Sequence, residues 1–462
     1  MDYEAIISSL TNMNPWWASG VVPAWAAPPT ERRELQRFLR LLEGDRVPVI
    51  AGLRRSGKTT LVHQAISHLI ASGVRPLDLV YASLDDLALR TMGPEVIPAI
   101  IEAHRRQGGG GDEVAYYFLD EVQSVDDWAV AVKNVRDRGR DAKMAVTGSA
   151  GLLIRGATAE SLAGRATGLE LGPWELRDWA GLRGDAPAGV GMMELFGGEH
   201  ALLTDGGLVE RTQLRNATTP QLGQYLLRGG LPEGASVESE AEYFRDLGDD
   251  VIERVLYRDI PTIHDVRRPD KLARLLLLLV DGRGFPAAVD SLAKGIDSHH
   301  DTVESYLSYL VSSRLVIPVP SYAGGERQRQ RKRYKYYLAD TGVQNAIEKR
   351  DLRLLGDDTA MGLVAEQAAA IHLSRLVARH GGRLHYGPPR RGREMDFILE
   401  AGGRTIPIEA KYRKNVRRAD LAAVVAYTEG LTDGPPVMIT REEAGVREGV
   451  VLVPLWLFLL TE

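Results

Sequence analysis

The run Gly52-Leu53-Arg54-Arg55-Ser56-Gly57-Lys58-Thr59-Thr60 holds the residue types best suited to chemistry. It fits G-x-x-x-x-G-K-[ST] at every fixed position, after an apolar run at 47–51 and before a helical pattern at 60–70. Its glycines let the backbone curl so that N–H groups from Gly52 through Arg54, Arg55, Ser56, Gly57 and on to Thr60 face phosphate oxygens. The start of the following helix adds partial positive charge. Lys58 brings a full charge to the β- and γ-phosphates, and the Thr59 hydroxyl is a ligand for Mg2+. The implied ligand is ATP with Mg2+.

A second apolar run at 116–119 ends in Asp120 and Glu121. A buried strand there, expected beside the first one, would let Asp120 hold Mg2+ through water while Glu121 orients and polarises the attacking water. The run at 144–146 leads to Thr147 and Ser149, either of which can touch the γ-phosphate or that water. Near the other end stand Glu366, Asp396 and the segment Glu409-Ala410-Lys411. On a strand, Glu409 and Lys411 point to one side. Asp396 and Glu409 are then candidates to share a divalent metal, Lys411 to position a water or stabilise a pentavalent phosphate, and Glu366 to complete the acidic cluster. This spacing resembles the PD-(D/E)xK nuclease pattern.

The densest basic segment is Arg327, Arg329, Arg331, Lys332, Arg333 and Lys335. Alternation on a strand would put the four arginines on one face, a stripe able to bind DNA phosphates without reading sequence. His299 and His300 are adjacent and lack the i, i+4 spacing of helical metal ligands, so they read as surface residues.

These residues need elements to position them. Apolar runs at 47–51, 77–84, 116–119, 144–146 and 169–171 alternate with helical patterns, which predicts a parallel sheet covered by helices. From 172 to about 269 the pattern is mainly helical. A helix at 287–294, a second one with Val303, Leu307 and Leu310 at helical spacing, and strands at 315–319 and 334–338 give the layout of a winged helix, whose second helix is a candidate to enter a DNA groove. A helix at 366–377 and strands at 383–386, 395–399, 405–410 and 437–440 follow.

Taken together, Gly52–Thr60, Phe118-Leu-Asp-Glu-Val-Gln123 and Val146-Thr-Gly-Ser-Ala150 resemble the bacterial and archaeal AAA+ ATPases that carry a carboxy-terminal domain of unknown function. So do Glu160-Ser-Leu-Ala-Gly-Arg165, Leu226-Leu-Arg-Gly-Gly-Leu-Pro232, Tyr257-Arg-Asp-Ile260 and Tyr337-Leu-Ala-Asp-Thr-Gly342. The resemblance implies an α/β chain with a P-loop AAA+ core over 1–195, a helical lid over 196–270, a winged helix over 271–345 and a PD-(D/E)xK nuclease-like domain over 346–462. It also implies a site between subunits, completed by a neighbour's arginine. Arg165 is the candidate, Arg155 the runner-up, and a homo-oligomeric ring such as a hexamer is the expected partner arrangement.

The expected function is ATP hydrolysis coupled to binding or remodelling DNA, with branched DNA as one candidate form. The alternatives are an ATP-dependent oligomeric switch docking a protein partner, and an ATP-gated nuclease. Composition narrows the field. The chain has 462 residues and no cysteine, which excludes disulfides, thiolate zinc sites and cysteine nucleophiles. Its formal charge of −5 announces no polyanion partner by itself, so DNA binding must come from a local patch. The longest apolar runs, at 275–280 and 450–460, are too short to span a bilayer. The first five residues show no basic region before an apolar run, and a cytoplasmic location is expected by default.

Overall fold

The computed structural model describes residues 3–110, 114–138, 142–149, 162, 164–182, 186–196, 201–204, 207–322, 333–390, 392–429, 431 and 434–462. They divide into two compact units, Met1–Gly172 and Pro173–Glu462.

The first unit is built on five strands: β1 (Val47–Gly52), β2 (Leu79–Ser83), β3 (Ala115–Asp120), β4 (Ala142–Ser149) and β5 (Ala166–Leu171). Their order is β2-β3-β4-β1-β5, and every pairing is parallel. Alternate residues of each strand enter separate cores, as the period of two requires. On β2, Val80 and Ala82 pack with the helices Tyr3–Met13 and Val96–Arg106, whereas Leu79 and Tyr81 pack with the helices Leu35–Glu43 and Lys58–Ala71. Strands buried on both faces read as continuous apolar runs, which is why β1 to β4 are visible in the sequence; β5, at the edge, shows only its buried Leu169 and Leu171. The strand order is not visible there: β4 lies between β1 and β3, so Asp120 does not end the strand next to β1 as expected.

The exposed edge of β2 is covered by side chains. The Asn14 amide donates to Tyr81 O at 2.8 Å and accepts from Tyr81 N at 2.6 Å, and the indoles of Trp16 and Trp17 donate to Leu79 O at 2.9 and 3.0 Å. These contacts give the edge strand the partners a further strand would supply.

In the second unit, the helices Leu208–Arg228, Pro269–Asp281, Val289–Gly295 and His300–Ser312 lead to an antiparallel ribbon of β6 (Val316–Pro320) and β7 (Tyr334–Leu338). The helices Thr341–Ile347 and Asp358–His380 follow, and then a six-stranded sheet. Its strands are β8 (Arg383–Arg390), β9 (Arg393–Ala401), β10 (Arg404–Lys411), β11 (Val437–Thr440), β12 (Gly445–Arg447) and β13 (Val450–Pro454), in the order β12-β13-β11-β10-β9-β8. β8, β9 and β10 form an antiparallel meander; β10, β11 and β13 run parallel, with the helix Arg418–Thr428 in the first crossover.

The boundary expected near residue 195 falls at 172. The reason is hydrophobic: Leu176, Trp179, Val190, Leu195 and Leu203 share one core with Leu222, Leu226, Phe397, Ile408 and Leu455–Leu460. Backbone hydrogen bonds join Val190 to Leu460 and Glu462, so the chain's last residues pack against its 176–203 region. The apolar run at 450–460 is thus a buried strand and the short helix Leu455–Phe458, and among the described residues no helix is long and apolar enough to cross a membrane.

Two of the motif stretches meet in this unit. The Asp340 carboxylate accepts from Gly230 N at 2.6 Å and from Val343 N at 3.0 Å. The Asn345 amide donates to Leu226 O and Leu227 O at 3.0 and 2.7 Å, closing the end of the helix Leu208–Arg228. The two backbones come so close that a Cβ at Gly342 would collide with Arg228 O.

Candidate functional site

β1 ends at Gly52, where the chain passes so near Leu171 O on β5 that a Cβ would collide with it. The loop then turns into the helix Lys58–Ala71, whose first turn carries Lys58, Thr59 and Thr60. Lys58 is 7% exposed, and its ammonium lies 3.3 and 3.4 Å from the carbonyls of Gly52 and Leu53. A buried cation held by two long carbonyl contacts inside a curl of amides fits a polyphosphate, so the residues present suit the expected nucleotide.

Asp120, 2% exposed at the end of β3, gathers donors from four directions. Its Oδ2 accepts from the Thr59 hydroxyl at 2.7 Å and from the Tyr81 phenol at 2.8 Å. Its Oδ1 accepts from the Thr147 hydroxyl and from Glu121 N at 3.1 Å. The two expected Mg2+ ligands, Thr59 and Asp120, are therefore brought into direct contact, and hard oxygen donors of this kind suit that ion. Glu121 stands at φ 53°, and its carboxylate accepts from the Gln123 amide. Burial raises the Glu121 carboxyl above the usual carboxylate range, with the Lys58 charge opposing. That direction suits a group asked to take a proton.

Between Thr147 and Ser149, the contact to Asp120 singles out Thr147; the side chain of Ser149 lies outside the described residues. Thr147 takes its place because β4 is interposed between β1 and β3. Arg155 is also outside the described residues. Arg165 sits at the start of β5, pairs with Asp137 at 3.1 Å, and gives its carbonyl to Val47 N at the beginning of β1. Gly52 and the phosphate loop are at the other end of β1, roughly 17 Å away at the usual rise per residue, so Arg165 does not reach its own site.

Reasoning from sequence missed Tyr81 and His63. Both lie within elements that read as ordinary core, and only the placing of β2 beside β3 aims the Tyr81 hydroxyl at Asp120. Tyr81→Phe is expected to raise the magnesium concentration for half-maximal ATPase about 3- to 10-fold with the fold retained, one hydrogen bond to a carboxylate being lost; a magnesium titration of the turnover rate checks this. His63 packs between Trp16 and Tyr81, with ring centroids at 5.8 and 4.7 Å. Burial lowers it to about 4, against an upward pull from Asp120. Between about pH 6.5 and 4 the unfolded chain binds a proton that the folded one refuses, so stability falls as pH falls through that window. The full effect is about 3 kcal/mol. Melting curves across this range are expected to show a shallower acid loss in His63→Phe than in the native protein.

In the second unit Asp396 and Glu409 come together as expected, while Glu366 feels the Asp396 charge without the three carboxylates closing to within 4.8 Å of one another. Asp396 on β9 and Glu409 on β10 extend the register that pairs Phe397 with Ile408, which sets them opposite each other. Asp396 N donates to Glu409 Oε2 at 3.3 Å, Ala410 N donates to Asp396 Oδ2 at 2.9 Å, and the Lys411 ammonium lies 2.6 Å from Glu409 Oε1. Burial and then the Asp396 charge push Glu409 up to about 7. The same two causes push Glu366 to about 7, against Lys335, the Tyr337 hydroxyl and Lys411. Burial by itself would lower Lys411, but Glu409 and Asp396 outweigh it and its proton is held more tightly than usual. Paired carboxylates beside an ammonium fit a divalent cation of the magnesium or manganese class.

The basic segment is a partial correction. Arg327, Arg329, Arg331 and Lys332 lie outside the described residues, and Arg333 is exposed. Lys335, expected on the DNA-binding stripe, is 1% exposed and turns inward, 3.8 Å from Glu394. The negative field of the acidic cluster gives it a reason to be there. The helix expected to enter a groove, His300–Ser312, exposes Asp301 and Glu304, and His300 lies within 4.0 Å of Asp290, Asp301 and Glu304. An acidic face repels phosphate, so this helix is a poor groove reader. His299 and His300 are exposed, as read.

Residues 44–179 match a family described as an AAA domain. Residues 219–354 match a Domain of unknown function (DUF8612), and residues 361–458 another (DUF4143). The carboxylate cluster draws Lys335 and Tyr337 from the second matched segment and its acids and Lys411 from the third. Uncharacterized protein MJ1637 of Methanocaldococcus jannaschii is 26% identical over 370 residues, 78% of this chain and 74% of its own. Uncharacterized protein Rv2008c of Mycobacterium tuberculosis is 25% identical over 390 residues, 82% of this chain and 74% of its own. Among solved structures, the Aeropyrum pernix ORC1 protein in complex with DNA aligns with 73% of this chain and 96% of its own, at 15% identity and TM-score 0.32. From residue 44 to residue 179 the chain is similar to the AAA domain family, and this stretch carries both the phosphate-loop motif and the five-stranded parallel sheet.

Proposed function

We propose that the protein is a magnesium-dependent ATPase of the AAA+ type whose turnover is coupled to binding or remodelling DNA. The observation that carries the ATPase is the convergence of Thr59, Thr147 and Glu121 N on the buried Asp120 carboxylate, beside the Lys58 loop. ATP would seat its phosphates on the amides of 52–60, with Lys58 neutralising charge between them. Magnesium, when bound with the nucleotide, supplies further neutralisation of the β- and γ-phosphates, with Thr59 and Asp120 as its holders. Glu121 would draw a proton from the attacking water, and Thr147, 3.4 Å from Glu121 N, is placed to register whether the γ-phosphate is present. The position of Arg165 supports action on a neighbouring subunit's nucleotide, in a ring such as a hexamer.

The DNA part rests on the second unit, read as lid, winged helix and nuclease-like domain in chain order. The basic segment 327–333 favours contact with a phosphodiester backbone through the ribbon rather than through the helix His300–Ser312. The opposed Asp396 and Glu409 with Lys411 favour a second reading, metal-dependent cleavage gated by ATP. The test is ATPase turnover with duplex, single-stranded and four-way DNA. Stimulation of at least several-fold by one of them is expected. If none stimulates, the DNA coupling is withdrawn while the ATPase stands, and a stable nucleotide-bound oligomer with slow turnover would then favour the oligomeric switch.

A further inference from the structure

The ribbon strand β7 contributes two inward residues to the acidic cluster. Lys335 and Tyr337 are two apart and point to one side, opposite Val319 and Ile317 on β6. The Tyr337 ring is 3% exposed, packs on Phe397 with centroids 5.9 Å apart, and sends its hydroxyl 2.7 Å to Glu366 Oε1. Phe397 follows Asp396 on β9, so the ring that orients Glu366 is fixed to the strand that carries Asp396. Lys335 lies over the Tyr386 ring at 5.4 Å, and its ion pair to Glu394 is long at 3.8 Å. A buried ammonium costs several kcal/mol unless surrounding negative charge offsets it. Glu366, Asp396 and Glu394 supply that charge, and among the cations acting on Glu366, Lys335 acts more strongly than Lys411. The ribbon is also tied to the sheet edge, since Tyr322 N donates to Tyr386 O at 2.8 Å and Ser321 bridges Tyr386 on β8.

We propose that Tyr337 and Lys335 are positioning residues of a divalent-cation site at Asp396 and Glu409, Tyr337 holding Glu366 toward the cation and Lys335 supplying the counter-charge that keeps the acids together before it arrives. This rests on the metal-dependent reading of the cluster. The ribbon strand β7 would then be part of that site.

The two residues act with opposite sign. Losing the Tyr337 hydroxyl frees Glu366 to turn away, which weakens cation binding. Losing the Lys335 charge removes a repulsion, which strengthens it. The experiment is a calorimetric titration of Mn2+ into the full-length, nucleotide-free protein at pH 8, with Tyr337→Phe, Lys335→Met and Asp396→Asn in parallel. Asp396→Asn is expected to abolish the binding, Tyr337→Phe to weaken it about tenfold, and Lys335→Met to tighten it at least threefold. If Asp396→Asn leaves the titration unchanged, the metal reading fails and the proposal with it. If Asp396→Asn abolishes binding but the other two variants stay within twofold of native, the metal reading stands and the proposal is overturned. Weakening in both variants also overturns it, because a purely structural role predicts a common direction. Should Tyr337→Phe not fold, the sign of the Lys335→Met effect decides: tightening supports the proposal, and weakening or a change within twofold overturns it.

Discussion

Lys58→Ala is expected to abolish ATP uptake, whereas Glu121→Gln is expected to leave uptake intact and lower turnover by roughly 10²- to 10³-fold. The two variants separate binding from chemistry because the two side chains meet different charges. Lys58 is the buried cation of the loop; without it the amides of 52–60 meet the polyanion with partial charges and with Arg54 and Arg55, which are less buried. Glu121 sits past the end of β3, where burial raises its proton affinity and Gln123 holds one oxygen. The amide introduced by Glu121→Gln keeps the size and a hydrogen bond but cannot take a proton. Filter binding of labelled ATP in magnesium, beside steady-state phosphate release, checks both. Equal ATP uptake by native protein and Lys58→Ala would remove the nucleotide site as read.

Asp340→Ala is expected to destabilise the second unit by about 3–5 kcal/mol, a large part of the roughly 5–15 kcal/mol that holds a typical domain folded. The carboxylate is 3% exposed and accepts from Gly230 N and Val343 N. Removing it strands those donors where water cannot replace it. It also opens the joint between the helix Leu208–Arg228 and the helix Thr341–Ile347, which Asn345 closes from the other side. Asp340→Asn is the milder comparison, since it keeps one acceptor oxygen. Urea unfolding followed by tryptophan fluorescence and by far-ultraviolet circular dichroism measures the difference. A loss under about 1 kcal/mol in Asp340→Ala would show that the joint is held mainly by apolar packing.

This joint explains two motif stretches for which no chemistry could be named from sequence. Leu226–Pro232 and Tyr337–Gly342 each carry glycines and few reactive groups, because their work is to bring two backbones together around one carboxylate. Nothing in either stretch alone points to the other, since 110 residues separate Gly230 from Asp340. The Lys335 correction has a similar origin. Alternation tells which residues of β7 share a side, but a ribbon has two sides, and the one that faces the acids is set by how Ser321 and Tyr322 dock on β8.

The phosphate loop, Asp120 with Glu121, the five strands of the first sheet and the shared face of Glu409 and Lys411 were all legible in the amino-acid order. Each depends on contiguous residues: a curl needs its glycines in place, a doubly buried strand must be apolar throughout, and a short spacing on one strand sets a common face. What only the tertiary structure decided was adjacency. The interposition of β4, the aim of Tyr81 at Asp120, the distance of Arg165 from its own phosphates and the packing of the last residues on 176–203 all follow from long crossovers and shared apolar cores. Those are chosen by the free energy of burying whole faces together, and that quantity is not written in any local stretch of chain.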